Sequence, residues 1–277
     1  MTVPFENDTG NIVRKLARKS LKSEKRRNLM VVIAVALASC LICFSIVMAL
    51  STRQIEKNHV EDTYEAVYTR ITEEDVSTLK GLDDFSRVGE YYMLAVEPAE
   101  QGYNASYIYC DEETMYIARD QMKLLEGRLP QKEDEVVVSR YFLSNYAADA
   151  GIGEKVMLSS ESFHGEYTVT GILEGYKEKE VNGSSILLSK EALKGWSGYD
   201  PADYRAYVHF KNEQQMDETE LTARSREIAK EYQLEMPIMN LSYMKFYKQP
   251  VNVSMLALVA GIAVLVIIGG YVVIQSI

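Results

Sequence analysis

Three histidines, three cysteines and several runs of adjacent acids are the side chains of this 277-residue chain that could support catalysis or hold a metal. His59, His164 and His209 are widely spaced, and none stands at ligand spacing from a cysteine or glutamate, so no zinc site is expected. His209 alternates outward in the strand-like run "RAYVHFK" and is expected to be a solvated surface residue. Glu73-Glu74-Asp75 and Glu133-Asp134-Glu135 are contiguous, so their side chains diverge; they read as solvated faces rather than acid/base pairs. "GILEGYK" (171–177) lacks the spacing of a phosphate-binding loop. "GWSGY" (195–199) lacks that of a nucleophile elbow, and Trp196 reads as an anchor against a core. No catalytic, cofactor-binding or metal-binding residue is assigned, and no enzymatic activity is expected of this chain.

The elements around these residues are set by charge. Residues 1–27 carry net charge +5, residues 53–248 carry −15, and the two intervening stretches, 28–52 and 249–277, carry none. Each uncharged stretch exceeds the roughly 20 apolar residues a helix needs to cross a bilayer. The first is longer than the apolar region of a signal peptide and is followed by Arg53 rather than a small-residue cleavage site, so a retained helix is favoured. The expected domains are therefore a cytoplasmic basic amphipathic segment (1–27), transmembrane helix 1 (28–52), an extracytoplasmic domain (53–248) and transmembrane helix 2 (249–277). The membrane-proximal Lys25, Arg26 and Arg27 put the N-terminus in the cytoplasm. Helix 2 reaches Ile277 without a polar flank, so the chain is expected to continue. Cys40 and Cys43 lie in helix 1, which leaves Cys110 alone in the outer domain, without a disulfide partner there; it reads as a small buried hydrophobe. The acidic balance of that domain argues against nucleic-acid binding.

Periodicity fills in the rest. In "NIVRKLARKSLKS" (11–23) Val13, Leu16 and Ala17 share a face opposite Arg14, Arg18 and Lys22. That pattern suits either a helix lying on an anionic inner leaflet or a plain basic flank. The outer domain is expected to be α+β, a series of β–α–β units. Strands are expected at 62–71, 86–97, 103–110, "EVVVS" (135–139), "EKVMLSS", "YTVTGILEG", "SSILLS" and "RAYVHFK". Thr72 with Asp75, and Ser139, read as N-caps, and 119–126 reads as a short helix. A helix is expected over "RYFLSNYAADA", ended by Gly151, and another from Asp217 with Leu221, Ser225, Ile228 and Tyr232 on one face. Tyr167, Val169 and Leu173 are expected to share one strand face. Small-residue stripes at Ala257, Gly261 and Gly269, and at Ala34 and Ala38, fit close helix packing.

One ordered set of motifs is more specific. Gly127-Arg128-Leu129-Pro130 is followed by Glu135-Val-Val-Val-Ser139, then "GEKVML" from Gly153, then "YTVTGIL" containing Gly171. This set resembles the periplasmic core domain of MacB-type ABC transporter permeases (the MacB/FtsX type), whose chains also open with a basic amphipathic helix and a first membrane helix. Glu154 departs mildly, since the family often has Asp or Lys there. The resemblance implies a membrane subunit that hydrolyses no ATP and needs no cofactor. Its implied partners are a cytoplasmic ABC ATPase, a second permease copy or homologue in a dimer, and membrane lipid, in a bacterial plasma membrane. ATP binding on the ATPase would then move the outer domain, for export or mechanotransmission. Gly127, Arg128, Pro130, Glu135, Gly153 and Gly171 are read as fold residues rather than a binding site. On topology alone, a two-helix membrane sensor with an outer ligand-binding domain fits as well.

Overall fold

The computed structural model describes residues 10–23, 25–61, 63–118, 122–175, 178, 182–248, 259, 261–264, 266–267 and 270. It forms two units, residues 1–55 with 251–277, and residues 56–250.

The first unit holds α1 (Gly10–Ser23) and most of α2 (Lys25–Val60). Ile12, Val13 and Leu16 of α1 are exposed. α2 has 36 residues and so spans about 54 Å at 1.5 Å per residue. Its segment Val35–Asn58 reaches a mean hydropathy of 2.3 with no part buried. Ser39, Ser45 and Thr52 donate their hydroxyls to the carbonyls of Val35, Leu41 and Met48, at 2.8, 2.8 and 2.9 Å. These three hydroxyls are thus satisfied within the helix, as an apolar surrounding would require. Lys25 is exposed, and Arg26 and Arg27 follow it in the first turn of α2. Gly261 is helical and a Cβ there would meet nothing beyond its own helix within 4 Å, while Ala257 and Gly269 lie outside the described residues.

The second unit runs β1 (Ala66–Ile71), α3 (Glu73–Lys80), β2 (Phe85–Pro98), β3 (Asn104–Cys110), α4 (Glu112–Ile117), β4 (Leu124–Gly127), β5 (Glu135–Ser139) and α5 (Arg140–Tyr146). It continues with β6 (Lys155–Ser159), β7 (His164–Leu173), β8 (Gly183–Leu188), α6 (Lys190–Gly195), β9 (Tyr204–Phe210), α7 (Glu218–Glu231), β10 (Ile238–Met239) and α8 (Leu241–Tyr243). The strands form one mixed sheet in the order β10-β1-β9-β2-β3-β8-β5-β7-β4, with β6 also paired to β7. β3–β8 and β5–β7 are parallel and the other pairs antiparallel. Parallel neighbours require long crossovers, and α5 lies in the β5–β7 connection.

Both faces of the sheet are buried. One side carries Tyr68, Tyr92, Tyr107, Val136 and Val138, packed in one cluster with Leu79 of α3, Phe142 of α5, Leu193 of α6 and Ile228 of α7. The other carries Tyr91, Ile108, Val137 and Leu187 with Ile117 of α4. Cys110 belongs to this second cluster, and burial raises its thiol pKa, so it stays protonated. The α+β class holds. So do the caps: Thr72 and Asp75 form a reciprocal box, and Ser139 Oγ accepts from the Phe142 amide at 3.0 Å; Asp217 and Glu220 form a second box, at the start of α7.

Several local expectations do not hold. Leu124–Gly127 is a strand on β7, where a helix over 119–126 was expected; cross-strand pairing overrides the helical propensity of "KLLEG". Residues 119–121 lie outside the described residues. The helix nearby is α4, capped by Asp111 at the Thr114 amide, 2.9 Å. Asp111-Glu112-Glu113 was its sequence signal. α5 stops at Tyr146, short of Gly151, and β1 begins only at Ala66. Val169 and Leu173 pack on opposite faces, because the β5–β7 register passes from Val136↔Val169 to Val137↔Gly171 and leaves Thr170 as an extra residue. A bulge of this kind reverses the alternation beyond it.

Candidate functional site

Two features of the outer domain bring together the motif residues and a fully buried carboxylate. The first is the turn between β4 and β5. Gly127 has φ +82° and pairs with Gly171 of β7. A Cβ on Gly127 would stand 2.2 Å from the Thr170 carbonyl oxygen and 2.7 Å from Gly171 Cα. A Cβ on Gly171 would meet the Arg128 carbonyl oxygen at 2.8 Å. Two backbones therefore touch here only because both positions are glycine. The contact is fixed by the Arg128 amide donating to the Thr170 carbonyl at 2.9 Å.

The Arg128 side chain then turns back to Glu135 in a two-pronged pair, with Nη1 to Oε2 at 2.8 Å and Nη2 to Oε1 at 2.7 Å. The Gln131 amide adds a third donor at 2.8 Å. Of the acid run 133–135, Glu133 and Asp134 are exposed as expected, but Glu135 is buried and clasped. Pro130 is half-buried in the seven-residue loop so closed. Gly153 is the sixth motif residue, at φ +90° with open space around it; its amide donates to the Val169 carbonyl at 2.8 Å, beside the bulge.

Arg128 and the Gln131 amide hold the Glu135 carboxyl down at about 2, below the ordinary 4.5. A lowered folded pKa contributes stability that is complete above the unfolded value and is lost as pH falls towards the folded one. Glu135→Gln is therefore expected to lower the midpoint of thermal unfolding at pH 7, with the difference from wild type shrinking between about pH 4.5 and 2. Unfolding of the detergent-solubilised chain across that range measures it; a pH-independent difference would remove the clasp from the account.

The second feature is the junction where α2 enters this unit and the chain leaves it. Val60, the last residue of α2, is buried in the core cluster. The next strand is hydrogen-bonded to the departing one: Ala66 pairs with Met239 and Val67 with Ile238. Asn240 ties the two further, its amide donating to the Glu65 carbonyl at 2.8 Å and Nδ2 to the Tyr64 carbonyl at 2.9 Å. Beyond it, Tyr243 and Met244 are buried, and Met244–Lys248 forms one wide helical turn. Lys248 Nζ donates to the carbonyls of Glu213 and of Met216, the latter at 2.8 Å.

At the centre of this junction Glu65 is fully buried. One proton lies between its Oε1 and His209 Nδ1, 2.7 Å apart, and its Oε2 accepts the Phe210 amide at 2.7 Å. Burial raises its pKa, and the His209 hydrogen bond works against that. His209, expected in solvent, is thus a partner of a buried carboxylate; no spacing signal in the sequence links residues 144 apart. Beside it opens a cavity of about 270 Å³ lined by Glu61, His209, Glu213, Tyr243, Tyr247 and Lys248. Among the described residues, no group of three His, Cys, Asp or Glu is arranged to hold a metal ion.

Comparison with known proteins places this architecture. The family model described as the MacB-like periplasmic core domain matches residues 29–226. The chain belongs to that family. It is thereby related to the permeases of MacB-type ABC transporters, and together with the apolar α2 this fits a membrane protein with an extracytoplasmic domain. The MacB-like match opens inside α2 and closes inside α7, so the junction's departing strand lies beyond it.

Solved structures similar to the chain include the extracellular domain of the noncanonic ABC-type transporter YknZ from Gram-positive bacteria, at 16% identity, TM-score 0.46, covering 64% of this chain and 100% of that one. The periplasmic region of MacB from Actinobacillus actinomycetemcomitans matches at 11% identity and TM-score 0.46, over 67% and 92%. A domain of a permease-like protein from Porphyromonas gingivalis matches at 14% and 0.45, over 72% and 98%. No curated protein matches the chain.

Proposed function

We propose that this chain is the membrane subunit of a MacB/FtsX-type ABC system, which passes motion between a separate cytoplasmic ATPase and its outer domain. The observation that carries the proposal, beside family membership, is the junction. The strand that follows α2 and the strand that precedes residues 249–277 are hydrogen-bonded neighbours tied further by Asn240, while Glu65 anchors the first to β9 and Lys248 anchors the departing chain to the carbonyls of Glu213 and Met216. Neighbouring strands lie about 4.8 Å apart, so displacements of both membrane-side segments arrive at one point of the sheet. The sheet is continuous from there to β4, and packed interiors transmit strain rather than absorbing it.

In this reading residues 1–27 are cytoplasmic, with Lys25, Arg26 and Arg27 at the inner membrane surface and α1 resting on anionic lipid. Residues 28–52 and 249–277 cross the bilayer, and two copies or homologues pair through the small-residue stripes that include Gly261. The chain itself performs no catalysis, and the Gly127–Glu135 clasp, with Gly153 and Gly171, serves the fold. The acidic surface and the membrane location leave nucleic acid no role.

The test is purification of the full chain from its native membrane in mild detergent, followed by identification of what accompanies it. An ABC ATPase at a fixed ratio is expected. Spin labels at exposed outer-domain positions should then change their mutual distances on adding ATP analogue. Recovery of a histidine kinase or a signalling coiled-coil protein in place of an ATPase would overturn the proposal in favour of a sensor.

A further inference from the structure

The run Met236–Lys248 differs from the rest of the outer domain. Residues 53–248 carry a net charge of −15, yet these thirteen residues contain Lys245 and Lys248 and no acid. Met236, Ile238 and Leu241 are 55%, 61% and 68% exposed. They lie within six residues of one another, at the edge strand of the sheet and the start of α8. Exposed aliphatic side chains this close together on the edge of a sheet are a liability unless something covers them. Tyr247 is exposed as well, Phe246 is half-buried, and Lys245 is exposed. Aromatic rings and lysines directly before an uncharged apolar run are the composition of a membrane–water interface.

Chain geometry limits what can cover this edge. Leu241–Lys248 is helical, and the uncharged run begins at residue 249. Eight helical residues rise about 12 Å, which is the greatest height Leu241 can have above the start of that run. The interfacial layer on each side of the hydrocarbon core is about 5–7 Å thick, and any tilt of the turn brings Leu241 closer.

We propose that Met236–Lys248 is a foot that rests in the outer leaflet of the bilayer. Met236, Ile238, Leu241 and Tyr247 enter the headgroup–acyl boundary, and Lys245 pairs with the phosphate of anionic lipids. The proposal rests on the reading of residues 249–277 as a membrane span. The foot would hold the junction at a fixed depth, so that movement of the membrane segments is delivered as tilt of the sheet rather than as sinking of the whole domain.

The test uses the full chain carrying Cys40→Ala and Cys43→Ala, with buried Cys110 retained. It is reconstituted in phosphatidylglycerol/phosphatidylcholine vesicles. Nitroxide labels are placed singly through Ile238→Cys, Leu241→Cys and Tyr247→Cys. Val96→Cys and Met157→Cys report exposed positions on β2 and β6, and Val266→Cys reports the second apolar run. Collision with oxygen relative to a water-soluble nickel chelate is measured at each site.

The expected ratio at 238, 241 and 247 is several-fold above that at 96 and 157. Lys245→Glu, or vesicles of phosphatidylcholine alone, should lower it. A lipid ratio at 266 with aqueous ratios at 238 and 241 overturns the foot and leaves the span standing; an aqueous ratio at 266 overturns the span itself. Spin–spin broadening at 241 with an aqueous ratio would instead assign the patch to a second copy of the chain, and overturns the foot as well.

Discussion

Gly127→Ala is expected to destabilise the outer domain by at least about 4 kcal/mol, the range reserved for changes that break a specific structural device. Two costs add. Alanine at φ +82° carries about 1–2 kcal/mol of backbone strain. The new Cβ must also displace the Thr170 carbonyl and Gly171 Cα, from 2.2 and 2.7 Å, and neither is a flexible side-chain end. Relief requires β4 to separate from β7, which breaks the Arg128–Thr170 backbone bond and shifts the guanidinium away from Glu135.

Gly153→Ala is the internal control. Gly153 has nearly the same φ, +90°, but nothing within 4 Å of where the Cβ would lie, so only the strain should register. For a domain of this size each kcal/mol moves the unfolding midpoint by about 2–4 °C. A drop of roughly 10 °C or more for Gly127→Ala, against a few degrees for Gly153→Ala, is therefore expected in thermal unfolding followed by Trp196 fluorescence. Equal drops would mean the close approach of the two strands carries no weight.

The comparison also separates what the sequence states from what it leaves open. Gly127, Arg128, Pro130 and Glu135 lie within nine residues, and their turn could be read from residue types alone. That Gly127 faces Gly171 could not, because the partner is 44 positions away and the register depends on the bulge at Thr170. Period-2 alternation assumes an uninterrupted strand, so it assigned Leu173 to the wrong face. Caps were legible because Thr72–Asp75 and Ser139–Phe142 act over three residues. Charges were legible only where solvated. Glu133 and Asp134 stay in water, whereas Glu135 and Glu65 owe their burial to partners that no local rule selects. The same holds for the junction, whose two halves come from opposite ends of the outer domain.

That junction yields the second large effect. Glu65→Ala is expected to cost about 3 kcal/mol, the scale for removing one member of a buried hydrogen-bonded pair. It leaves the Phe210 amide and His209 Nδ1 without the fully buried carboxyl that partners them. Glu65→Gln keeps the shape and an acceptor oxygen for the Phe210 amide, so its cost should be about 1 kcal/mol at low pH. pH distinguishes a buried carboxyl from a packing effect. Burial raises the Glu65 pKa, so its contribution is complete below the ordinary value of 4.5 and declines as pH rises through the folded value. Glutamine does not titrate. The stability gap between wild type and Glu65→Gln should therefore narrow from pH 4.5 upward, opposite in sign to the trend for Glu135→Gln below pH 4.5. His209 and Glu213 act on the same carboxyl, and His209→Phe should carry the narrowing on to higher pH while its onset stays near 4.5, because the hydrogen bond and charge that favour ionised Glu65 are gone. If the subunit transmits motion as proposed, Glu65→Ala should also reduce the ATP-dependent distance changes in the outer domain more than Gly153→Ala does at equal loss of stability, since Glu65, unlike Gly153, ties the segment after α2 to β9. Equal reductions would assign Glu65 to folding alone.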